Sequence, residues 1–100
     1  MLYELKPTDS HKSFYGKAIV LPVNGYLVLK SYDTRVACID SYGHFYRTWG
    51  GYSATTMRHV NSFRESNNLS RIGKKEWEDM LVCSRVDLIM VCPSICYQLT

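Results

Sequence analysis

At 100 residues, with 46% hydrophobic and 21% charged side chains, the chain fits one globular domain. Two separate cores at this length would each be marginal, and the composition excludes disorder over most of the chain. Twelve basic against nine acidic residues leave a net charge of +3, and no apolar run approaches the roughly 20 residues of a membrane-spanning helix.

Residues 1–16 are mixed and polar, and Pro7 and the Asp9-Ser10-His11 cluster mark an irregular segment. The start Met1-Leu2-Tyr3-Glu4-Leu5-Lys6-Pro7 lacks the basic opening and apolar centre of a secretory signal, so a cytoplasmic protein is expected. Ala18–Val23 and Tyr26–Lys30 are then two β-rich runs around Asn24-Gly25. Asn-Gly between such runs predicts a tight hairpin, because both turn positions need positive φ. Pro22 has no amide to donate, which places that part of the first strand at a sheet edge or at its end. Tyr32-Asp33-Thr34 reads as a turn, Arg35–Asp40 as a third strand, Ser41-Tyr42-Gly43 as a turn and His44–Trp49 as a fourth strand. Connections this short leave no room for crossover helices, so the expected sheet is an antiparallel meander of about four strands.

Gly50-Gly51 closes the strand region. Ser53 suits an N-cap, and Met57, Val60 and Phe63 form the apolar stripe of a helix from Ala54 to about Asn67. A second helix is expected over Lys74–Val82, with Trp77, Met80 and Leu81 on its apolar face. Lys74 and Lys75 at its start oppose the helix dipole, which suggests that they face something negative, although Glu76, Glu78 and Asp79 can compensate. Val86, Leu88 and Met90 alternate in the tail, giving either a fifth strand or a longer second helix, ended by Pro93. The expected architecture is a single α+β domain over residues 1–100, with both helices packed on one face of the sheet and an unassigned tail over 83–100.

Charge is distributed unevenly. From His44 to Lys75 the basic residues are Arg47, Arg58, Arg64, Arg71, Lys74 and Lys75, and Glu65 is the only acid, so the stretch carries +5 and the remainder −2. Such a cationic half suits nucleic acid or an acidic protein face; a solvated helix surface without a partner has the same pattern. Within it, Arg47-Thr48-Trp49-Gly50-Gly51-Tyr52-Ser53-Ala54-Thr55-Thr56-Met57-Arg58-His59 predicts strand, glycine turn and helix start. Opening amides and the positive end of the dipole favour an anion there, and Ser53, Thr55 and Thr56 add hydroxyls while Arg47 and Arg58 add charge. The segment is a P-loop neither in its ending nor in its spacing, and a well-capped helix after a tight turn accounts for it equally. Tyr42, Phe45, Tyr46, Trp49 and Tyr52 lie beside Arg47; exposed, they could stack on the bases of a single strand, and buried, they fill the sheet–helix interface.

Chemistry is less supported. His11, His44 and His59 are not brought together by any spacing, and no carboxylate pair appears. Of the four cysteines, Cys38 reads as core, Cys83 has no partner set by spacing, and Cys92 and Cys96 are three residues apart without a second ligand pair, so neither metal nor cofactor is expected.

The run from Ser31-Tyr32-Asp33-Thr34-Arg35-Val36-Ala37 to Trp49, the segment Tyr52-Ser53-Ala54-Thr55-Thr56-Met57-Arg58-His59 and the later Lys74-Lys75-Glu76-Trp77 resemble a group of small, uncharacterised domains. These are common on phages and mobile elements of Gram-positive bacteria. The resemblance covers about residues 25–80 and implies a small α/β domain with no established activity. Proteins of this kind often act by binding, anti-CRISPR inhibitors of host defence among them. Inhibitors that mimic DNA are strongly acidic, and this chain is not.

The expected function is therefore a non-catalytic module that engages nucleic acid or a host nucleoprotein. Its surface would comprise Arg47, Trp49, Tyr52, Ser53, Thr55, Thr56, Arg58, His59, Lys74 and Lys75. Two alternatives stand beside it: a protein–protein inhibitor or homodimer using the exposed aromatics and apolar tail, and a small ribonuclease using His59 with Arg58.

Overall fold

In the computed structural model, which describes residues 2–8, 14 and 16–83, Asn24 and Gly25 both take positive φ, 48° and 87°. That turn joins β2 (Ala18–Val23) to β3 (Tyr26–Ser31) with Val23 directly opposite Tyr26. It is the primed two-residue hairpin that the dipeptide predicts. Tyr32 (φ 56°) and Asp33 turn the chain into β4 (Thr34–Ile39). The Asp40–His44 loop then leads to β5 (Phe45–Arg47), with the Asp40 carboxylate accepting from the Tyr42 and His44 amides at 2.9 Å. Every pairing between the described strands is antiparallel, and they lie in chain order; an isolated parallel bridge joins Arg47 to Val82.

The sheet has one strand more than expected. β1 (Tyr3–Glu4) pairs with β2 through Tyr3↔Val20 and Glu4↔Ile19, inside the segment read as irregular. Two residues carry no periodic signal, so only docking beside β2 defines this strand. Because β1 covers only that end of β2, Pro22 sits where no neighbour on its outer side needs an amide. β5 is also shorter than the expected strand.

Ser53 caps α1 (Ala54–Ser66), and its side chain accepts from the Thr56 amide at 3.0 Å. Asn67 terminates this helix, close to the expected end. α2 (Lys74–Asp79) is three residues shorter than expected. Its start is held by the Gly73 amide donating to the Glu76 carboxylate at 2.9 Å. Its last carbonyls point at Arg47, and Met80 already has extended backbone. Leu81, placed on the apolar face in the sequence reading, is therefore beyond the helix and exposed.

Both helices cover the same face of the sheet. Met57, Val60 and Phe63 of α1 and Trp77 of α2 share one cluster with Val20, Leu29, Ala37 and Ile39. Asn61 ties the helix connection to α1: it donates to the Ile72 carbonyl at 3.0 Å and accepts from its amide at 2.8 Å. On the other face Tyr26, Val28, Cys38, Tyr46 and Cys83 form a second cluster. The expected strand over 86–90 and residues His11, Cys92 and Cys96 lie outside the described residues. Among the described residues no helix is long and apolar enough to cross a membrane.

Candidate functional site

The start of α1 organises the surface that carries most of the expected site. Its first turn contains no acid, so the free amides and the positive dipole end keep a cationic character. Tyr52, just before the cap, is exposed, and the Lys74 ammonium lies over its ring, 4.9 Å from the centroid. Thr55 is also exposed, one helical turn before the half-buried Arg58. Trp49 is half-buried, with its indole laid against Gly51, so that a Cβ at Gly51 would collide with the ring. Glycine is required there by close approach and not by φ.

A second cation–aromatic group flanks the same helix. The Arg58 guanidinium lies 4.9 Å from the Phe14 ring, and Phe14 meets the His59 ring edge-on at 4.4 Å. His59 in turn lies 5.9 Å from the Tyr32 ring, which is exposed and carries Lys17 over it at 5.6 Å. The buried centre of this group is a polar triad. The Ser31 hydroxyl lies 2.7 Å from His59 Nδ1 and 3.1 Å from the Thr56 hydroxyl. Burial lowers the His59 pKa to about 4, and the Arg58 charge adds to the shift. The imidazole is thus neutral at pH 7.

These placements divide the expected site. Tyr52 and Lys74 meet just before α1, and Thr55 and Arg58 lie on its first and second turns, with Arg58 over Phe14. Thr56 and His59 face inward and anchor α1 to β3 instead of opening to solvent. Ser53 is spent on its cap, and Lys75 pairs with Asp79 at 3.4 Å on the exposed face of α2.

Arg47, expected as an open cation, requires the largest correction. It is 5% exposed. Its guanidinium donates to the carbonyls of Trp49 (2.8 Å), Trp77 (2.8 Å), Met80 (3.2 Å) and Gly51 (3.4 Å), and it stacks 4.6 Å from the Trp77 ring. A fork of five donors suits such a carbonyl nest, and it provides the C-terminal cap that stops α2. Of the other arginines in the cationic stretch, Arg64 is buried and bonds to the Ser70 carbonyl, and the exposed Arg71 pairs with Glu65.

Sequence reasoning missed Lys17 and Tyr32. The Tyr32-Asp33 turn was legible, but nothing local showed that it would meet the second turn of α1. Among the described residues no group of three His, Cys, Asp or Glu side chains could hold a metal ion. At the β4–β5 loop the Asp40 carboxylate is fully engaged, accepting also from the Tyr46 hydroxyl at 2.9 Å and facing His44 Nδ1 at 3.3 Å.

A family model described as "Family of unknown function (DUF8033)" matches residues 3–79, from the first strand to the end of α2. The chain belongs to that family. No curated protein and no solved structure matches it.

Proposed function

We propose that this DUF8033 member is a non-catalytic binding module for single-stranded nucleic acid, free or within a nucleoprotein. One observation carries the reading: two exposed tyrosines each lie under a lysine ammonium beside α1, Tyr52 just before its acid-free first turn and Tyr32 against His59 in the second turn. Tyr52 adjoins the cap, and Tyr32 neighbours His59, six residues further along. At the α-helical rise the two points are about 9 Å apart along the axis. Partly exposed rings that carry cations suit base stacking together with phosphate neutralisation. Lys17, Tyr32, Tyr52, Thr55, Arg58 and Lys74 make up the proposed surface; Arg47 supports it from below by fixing the glycine turn. On the sequence pattern alone, we place such a module on a phage or mobile element of a Gram-positive bacterium, acting in the host cytoplasm against host defence.

The test is fluorescence anisotropy with labelled oligothymidylate and oligouridylate, from low to physiological salt. Affinity should fall steeply with salt, and Tyr32→Ala or Tyr52→Ala should each weaken it about ten-fold, within the roughly 1–3 kcal/mol of one base stack. Lys17→Gln or Lys74→Gln should flatten the salt slope by about one unit each. Absence of binding at low salt, or affinities indifferent to both tyrosines, refutes the reading.

A further inference from the structure

Away from the proposed nucleic-acid surface, the face of the sheet turned from the helices carries two like charges that lack a close partner among the described residues. The β3–β4 register sets Lys30 directly opposite Arg35. Ser31 points toward α1 through its bond with Thr56, so its neighbour Lys30 and the partner Arg35 project from the opposite face. Like charges directly across an antiparallel pair are unfavourable. Lys30 is only loosely compensated, by an exposed Asp33 at 3.9 Å. No described residue forms an ion pair with Arg35, which is exposed.

Beside this pair lies an open cavity of about 640 Å³, lined by Leu2, Leu21, Lys30, Asp33, Thr34 and Arg35. Its volume falls within the range of small-molecule sites. Its two sides differ in chemistry: Leu21 of β2 and Leu2, just before β1, on one, and Lys30, Arg35 and the Thr34 hydroxyl on the other, with the fully exposed Asp33 carboxylate at the rim.

We propose that this groove binds a small amphipathic anion, with its carboxylate or phosphate head between Lys30 and Arg35 and its apolar body on Leu2 and Leu21. The head relieves the cross-strand repulsion, and Arg35 offers it a two-pronged donor. Leu2, 64% accessible, gains cover when the apolar body is seated.

The experiment is a titration of the full chain followed by amide chemical shifts, with octanoate, octyl phosphate, inorganic phosphate and octanol as separate probes. Octanoate, octyl phosphate or both should shift the signals of Leu21, Lys30 and Arg35 together, and which of them binds more tightly identifies the head group. Octanol and inorganic phosphate should bind more weakly than either. Arg35→Gln should weaken octyl-anion binding about ten-fold, the scale of one hydrogen bond to a charged group. The ligand-free variant should melt no lower than the parent, since it removes a repulsion. Oligonucleotide binding should be unchanged in Arg35→Gln, which separates this site from the tyrosine surface. The proposal is overturned if neither octyl anion shifts these residues, if inorganic phosphate binds as well as octyl phosphate, or if Arg35→Gln binds like the parent.

Discussion

Arg47 does three things with one side chain. It closes the Trp49–Gly51 turn, caps the last carbonyls of α2 and covers the Trp77 ring. Lysine in its place keeps the charge but has no planar fork, so it cannot reach both the turn and the helix end. Arg47→Lys should lower unfolding stability by about 2–4 kcal/mol, as lost charged hydrogen bonds leave buried carbonyls unpaired. Urea unfolding should show this as a shifted midpoint with an unchanged slope.

His59 makes a different prediction at the same scale. Its pKa is about 4 in the fold and near 6.5 in an unfolded chain. Between these values the unfolded state holds the extra proton, so stability declines as pH falls from about 6.5 to about 4, by at most about 1.4 kcal/mol per pH unit. Asp40 acts in a lower window. Burial pushes its carboxyl up, but the amides of His44 and Tyr42 and the Tyr46 hydroxyl outweigh it and hold the pKa below 3.8. Its contribution is present above that value and fades only as pH drops further. Urea midpoints at about pH 7 and about pH 5 separate the two groups: the parent should lose more stability than His59→Gln over this interval. Equal losses would show that His59 is not held neutral by the fold.

At the scale of elements, the helix starts follow from local chemistry. Ser53 supplies an acceptor where α1 has free amides and no acid in its first turn, so Ser53→Ala should cost about 1 kcal/mol. Ser53→Asp should retain that stability, because its carboxylate both caps and opposes the dipole. Thermal unfolding of the two variants beside the parent checks the pair, and an unchanged alanine variant would remove the cap from the account. Helix ends depend on more distant partners. The end of α1 is the exception: Asn68 takes a left-handed φ of 65°, and the amides of Asn67, Asn68 and Leu69 bond to the Arg64 and Glu65 carbonyls, a local stop carried by the Asn67-Asn68 pair. α2 stops at Asp79 because a guanidinium from β5 takes its carbonyls, and the residues of 74–82 contain no sign of that. β1 is similar: two residues become a strand only because β2 offers an edge.

For the molecule as a whole, the meander was legible because each of its strands is followed by a short turn whose chemistry is local. Asn24-Gly25 demands its hairpin, and the Tyr32-Asp33 and Gly43 turns leave adjacent antiparallel pairing as the one compact outcome. The +5 half of the chain was equally plain as a sum, yet its charges end in different environments. Arg47 enters a carbonyl nest, Arg71 meets Glu65, and Lys74 rests on Tyr52. Lys17 and Tyr32, from outside that half, join its surface. The chain's own order thus determined the four strands from β2 to β5, their turns, the start of α1 and the α+β class, since these depend on neighbours a few residues apart. Which cations face water and which are consumed inside was decided only by tertiary structure. A side chain's exposure depends on carbonyls and rings that arrive from dozens of residues away, and no local pattern encodes that meeting.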